Sequence, residues 1–137
     1  MEELMPVLVV DIANVMGSRP DGWWRDRAGA AGRLMVSLVP LVDAEVAPPD
    51  SLSLRAREFR VDRIVAVVEG RARTAIAPDE LQVVLAPADG DSAIVEVAGQ
   101  VLDQGEVPLV VTADRGLRER LPSGSLIAGP GWLLGLL

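Results

Sequence analysis

The chain predicts an α/β fold with a mostly parallel central sheet flanked by helices. Short Val-rich apolar runs lack the strict alternation of half-exposed strands, as expected of strands buried on both faces. Segments with helical spacing separate them, giving the order strand, helix, strand, strand, helix, strand, helix, strand. The 137 residues suffice for one domain with a real core, spanning residues 1–137, and an aromatic content of 3% makes that core aliphatic.

Val7 to Val10 reads as a buried strand, and Asp11 to Gly22 as a loop punctuated by Gly17, Pro20 and Gly22. Asp21 is placed to cap a helix from Trp23 to about Val39. Its apolar stripe is Trp24, Ala28, Ala31, Leu34, Met35 and Leu38, with Arg25, Arg27 and Arg33 on the wetter side and Pro40 to bend or stop it. Ala47 to Asp50 is a loop, and Ser51 to Arg60, where Leu52 and Leu54 alternate with polar residues, is an edge strand or an irregular excursion. Arg63 to Val68 is a strand, Arg71 to Pro78 a loop or short helix, and Gln82 to Leu85 a strand. A turn at Pro87 to Gly90 leads into a helix over Ser92 to Gln104, stopped by Gly105. Leu109 to Thr112 is a strand, Asp114 opens a short helix reaching Leu121, Leu126 to Ala128 is a last strand, and Pro130 to Leu137 forms a final helical turn.

Four carboxylates mark the strand and helix junctions of this plan. Asp11, Glu69 and Asp114 end apolar runs, and Asp91 opens an apolar-periodic helix. In an open parallel sheet the carboxyl ends of the strands form the ligand crevice. Acids gathered there repel one another unless a cation joins them. With no His and no Cys in the chain, the matching guest is an oxygen-loving Mg²⁺ or Mn²⁺. The missing Cys and His also exclude disulfides, thiolate or imidazole zinc sites, a Cys nucleophile and a Ser-His-Asp triad.

Other acid-dependent α/β chemistries fail on spacing. A phosphoryl-aspartate hydrolase needs a second acid two positions after the first, where this chain has Ala13. A response-receiver domain needs a Lys, a P-loop needs Gly-Lys-Ser/Thr, and neither occurs. Gly129-Pro130-Gly131 lacks a following βαβ unit for dinucleotide binding.

The net charge of −7 is unusual for a nucleic-acid binder, since phosphate affinity comes from cationic surface. All 13 basic residues are Arg, which fits a GC-rich coding sequence as well as phosphate recognition. The acidic N-terminus has no signal-peptide pattern, and no apolar stretch approaches the ~20 residues of a membrane span. The expectation is a soluble cytoplasmic protein with no membrane association.

Val9-Val10-Asp11-Ile12-Ala13-Asn14-Val15 resembles the opening "V-D-G-x-N-V" of NYN-type PIN-like nucleases, close to their YacP-like branch. Val67-Val68-Glu69-Gly70 is similar to that family's second-strand acid, Gly90-Asp91-Ser92-Ala93-Ile94-Val95-Glu96 to its acid-started helix, and Val110-Val111-Thr112-Ala113-Asp114-Arg115 to its "V-T-x-D-R" strand end. The resemblance implies a PIN-like fold, a divalent-metal site and ribonuclease activity on RNA, with Asp11, Glu69, Asp91 and Asp114 as the catalytic, metal-holding set. Asn14 would bind a site water or orient Asp11, or else serve as a turn residue. Ile12 stands where the family has Gly, and would narrow the site.

Around this set, Asp89 and Thr112 are supporting candidates, against turn chemistry for the first and strand filler for the second. Glu96 is assigned to a solvated helix face. Arg71, Arg73 and Arg115 each follow a site acid and would meet substrate phosphates or pair with neighbouring acids. Trp23-Trp24 would stack a base or divide between core and surface. The tail Trp132 to Leu137 would form a homodimer contact or pack on the sheet. Three functions follow: a metal-dependent ribonuclease; a non-catalytic RNA- or protein-binding PIN-like module; and a hydrolase of a small phosphate compound such as a nucleotide.

Overall fold

A computed structural model describes residues 2–52 and 56–137. Five strands form an all-parallel sheet: β2 (Val7–Asp11), β4 (Ile64–Val68), β5 (Gln82–Leu85), β6 (Pro108–Val111) and β7 (Leu126–Ala128), in the order β5-β4-β2-β6-β7. A separate parallel pair joins β1 (Glu2–Leu4) to β3 (Ala56–Phe59). The second of these realises the edge-strand option for Ser51 to Arg60, although Leu54 lies outside the described residues. β1 was not expected. Its three residues carry too short a pattern to be read, and the strand exists only by pairing with β3.

The apolar runs of β2, β4 and β6 are buried on both faces, as their composition implied, whereas the edge strands β5 and β7 are only partly covered. Leu8, Val10, Ile64, Ala66, Val68, Leu109 and Val111 enter one core cluster, packed with helices α1 (Ile12–Gly17), α2 (Arg27–Leu38) and α5 (Pro130–Gly135). Their alternates Val7, Val9, Val65, Val67 and Val110 enter a second, with α3 (Gly90–Asp103) and α4 (Arg115–Arg120). Strand side chains alternate between faces, so each strand feeds both layers. Among the described residues no helix is long and apolar enough to cross a membrane.

Three local expectations are corrected. Asp11 to Gly22 is not all loop, because its first six residues after Asp11 are α1. Ile12, Val15 and Met16 lie at i, i+3 and i+4 and are buried, and Asp11 caps the helix through the Asn14 N–H at 3.2 Å. The helix expected from Trp23 is split. Trp23–Arg25 is a separate 3-10 turn, entered from Gly22 at φ 84°, and Asp26 rather than Asp21 caps α2 through the Gly29 N–H at 2.9 Å. Trp24 therefore leaves the predicted apolar stripe and is 51% exposed. At the other end α2 stops at Leu38, and Pro40 sits in the 3-10 turn Val39–Leu41 that follows, in line with its expected effect. Finally, α3 starts at Gly90, and its cap is Asp89, not Asp91.

The tail packs on the sheet. Leu133 is fully buried, and the Trp132 indole N–H donates to the Ala47 carbonyl at 3.0 Å while its ring meets Phe59 edge-on.

Candidate active site

The central strand β2 is where the topology reverses: the chain moves outward from it to β4 and β5, then crosses to β6 and β7 on its other side. Parallel sheets place ligand crevices at such switch points, outside the carboxyl ends. Asp11 ends this strand. Register places Val10 beside Val111, so Thr112 follows alongside Asp11. Alternation sends Asp11, Thr112 and Glu69 toward the same face, the one covered by α3, because each follows a residue committed to the opposite cluster.

Asp11 is 7% exposed and Thr112 fully buried. The Thr112 hydroxyl donates to Asp11 Oδ2 at 3.0 Å and accepts from the Asp114 N–H at 3.1 Å. Thr112 is thus a hydrogen-bonded link between two of the acids, not strand filler. Among the described residues Asp11 has no cationic ion-pair partner. Burial pushes its carboxyl up to about 6, against the lowering effect of the Asn14 and Thr112 hydrogen bonds, and the charges of Asp91 and Glu69 add to the rise.

Glu69 follows β4, and its Oε2 accepts from the Gly90 N–H at 2.6 Å. A Cβ at position 90 would lie 3.0 Å from that oxygen, so the glycine admits the carboxylate to the start of α3. Asp91, in the first turn of α3, is raised above the ordinary carboxylate range by partial burial and by the charge of Asp114, with Arg120 opposing. Asp114 caps α4, accepting from the Leu117 N–H at 3.0 Å. Asp11 thus feels the charges of Asp91 and Glu69, and Asp91 those of Asp114 and Glu69, around one sheet edge. The four acids do not form a closed cage: among the described residues no group of three or more acidic side chains stands close enough to enclose a metal ion.

The supporting candidates separate. The Asn14 backbone holds Asp11, but its side-chain oxygen accepts from the Ala113 N–H at 2.8 Å, tying α1 to the loop after β6. Asp89 is the cap of α3, and the Ser92 N–H and hydroxyl hold it below the ordinary carboxylate range. Ile12 is fully buried in the cluster opposite α3, directed away from the carboxylates' face. Glu96 is exposed. Arg71, Arg73 and Arg115 are exposed and make no ion pair among the described residues; of the three, Arg71 lines a cleft with Trp24, Arg25 and Arg27.

Two arginines were missed. Arg118 Nε and Nη2 both donate to the Thr112 carbonyl, at 3.2 and 2.7 Å, clamping the end of β6. Arg120 donates to the Ser92 hydroxyl at 3.1 Å, and its charge reaches Asp91. Both lie on α4 past the motif, and only the packing of α4 against α3 brings Arg120 to the acids.

Fold and edge together define an all-parallel α/β protein with acids gathered at the carboxyl end of its switch-point strand. The chain matches no protein-family profile, no curated protein and no solved structure. The likeness to NYN-type nucleases therefore rests on the four motifs themselves.

Proposed function

We propose that this edge is the active site of a Mg²⁺- or Mn²⁺-dependent ribonuclease. The observation that carries the reading is Asp11: a buried carboxylate at the switch point, without a cationic partner among the described residues, whose charged neighbours are other acids. A donor set made only of carboxylate oxygens suits a hard divalent cation. Asp11, Glu69, Asp91 and Asp114 would hold it. Such an ion, when bound, lowers the pKa of a water and neutralises phosphate charge. The chain's own contribution is positioning: Thr112 orients Asp11, Gly90 seats Glu69, and α4 aims Asp114. Arg120, beside Asp91, offers a guanidinium to a phosphate oxygen.

Labelled single-stranded RNA should be cleaved with Mn²⁺ or Mg²⁺, not with EDTA, and cleavage should fall in Asp11→Asn. Intact RNA with both metals would sink the reading. The open spacing of the acids favours a second one, a non-catalytic RNA- or protein-binding module, which that result would leave standing.

A further inference from the structure

Two clefts share Arg27 in their linings, and the first of them includes Glu69 of the acid edge. The first, of about 330 Å³, runs from Ala13, Glu69 and Gly70 to Trp23 and Arg27. The second, of about 270 Å³, is lined by Trp24, Arg25, Arg27 and Arg71. Arg27 borders both, and Arg71 follows Gly70 in the same 3-10 turn, Gly70–Thr74. The two indoles stand edge to face at 86°, so their faces are turned in different directions, and each indole lines a different cleft. Arg27 lies over the Trp23 ring at 5.4 Å, and Arg25 over the Trp24 ring at 5.9 Å.

In a chain of charge −7, these three arginines make no ion pair among the described residues. Asp26 also lines the second cleft, but its carboxylate is engaged by the Gly29 N–H. Three arginines against the two carboxylates Asp26 and Glu69, with one exposed indole, Trp24, and one half-buried against the core, Trp23, supply the chemistry that holds unpaired nucleotides: rings stack base faces and guanidiniums meet the backbone. A duplex keeps its base faces stacked on each other and has no use for such rings.

We propose that the linked clefts carry a single-stranded RNA away from the acid edge, with bases on Trp23 and Trp24 and backbone phosphates on Arg27, Arg25 and Arg71. This names the substrate form for the nuclease reading and rests on it for the direction of the strand. It also separates a polynucleotide from a lone nucleotide, which would fill only the first cleft.

The test is binding of a short fluorescent RNA in EDTA, where cleavage does not intervene. Trp24→Ala, at an exposed position, should weaken binding roughly tenfold, with Trp24→Phe largely restoring it. The triple variant Arg25→Gln, Arg27→Gln, Arg71→Gln should flatten the plot of log affinity against log salt by about 2, at about 0.7 per lost phosphate contact. Unchanged affinity and slope, equal binding of duplex, or equal competition by a mononucleotide would each overturn the path. RNA cleavage indifferent to these variants would remove the path and leave the nuclease; binding that follows them without cleavage in Mn²⁺ would remove the nuclease and leave the path.

Discussion

Asp11 concentrates the conflict between stability and function. Its carboxyl is raised to about 6 by burial, so in the folded state ionisation is opposed. The sign follows from linkage: between the ordinary carboxylate value and about 6 the folded chain binds a proton that the unfolded chain has released. The stability contributed by protonation is complete below the ordinary value and is lost as pH rises through about 6. The cost of ionised Asp11 above that point is of order 3 kcal/mol at most. In EDTA at about pH 7.5, Asp11→Asn should therefore unfold at higher denaturant concentration than wild type, and near pH 4 this advantage should vanish. An Asn variant less stable at every pH would show that the Thr112 and Asn14 hydrogen bonds outweigh desolvation. Ile12, by contrast, is a core residue: fully buried at the first position of α1, it should cost ~3 kcal/mol or more when replaced by Gly, from cavity and helix terms together. Thermal melting checks this. A normal melt with faster RNA cleavage in Ile12→Gly would restore the idea that the side chain narrows the site.

At the scale of elements, helix starts bring acids to the edge. Asp11, Asp89 and Asp114 each cap a helix, α1, α3 and α4, through an N–H three residues on. Capping and ligation make different demands on Asp114. Asn caps about as well as Asp, so Asp114→Asn should leave the melting temperature nearly unchanged. A neutral oxygen is a poorer partner for a hard cation, so cleavage should fall at least about tenfold, ~1.4 kcal/mol in the transition state. Wild-type cleavage by the folded variant would make Asp114 a cap alone. These elements were unevenly legible. Asp114 was readable because a strand, an acid and a helix follow in order. The α3 cap was misread because Asp89-Gly90-Asp91 offers two acids two positions apart, and only the hydrogen bond to Ser92 chooses Asp89. α1 was hidden by Gly17, Pro20 and Gly22, which drew a six-residue helix into the loop they mark.

For the whole molecule, the prediction concerns the cation. A ligand that binds only the folded state stabilises it by mass action, ~2.7 kcal/mol at 100 times its Kd. Mn²⁺ or Mg²⁺ at millimolar concentration should raise the wild-type melting temperature by several degrees, and Asp11→Asn should blunt the rise. The absence of a closed cage makes this a stringent test, since the ion must draw the carboxylates together. A wild-type melt indifferent to both ions would leave the edge without its proposed guest.

Local order in the chain determined the sheet and its flanking helices: Val-rich runs too apolar to face water on either side can only be central strands, and their ends mark one edge. The face shared by Asp11, Glu69 and Thr112 emerged only once the two core clusters were placed. The tertiary structure decided what no spacing encodes. It set β2 between β4 and β6, brought Arg118 back onto Thr112 and Arg120 onto Ser92, and laid Trp23 and Arg27 along one cleft with Glu69. Apart from the Arg118–Thr112 clamp, which spans six residues, those contacts join residues far apart in the chain, and they arise from burying both faces of the sheet, a constraint on the whole chain rather than on any segment.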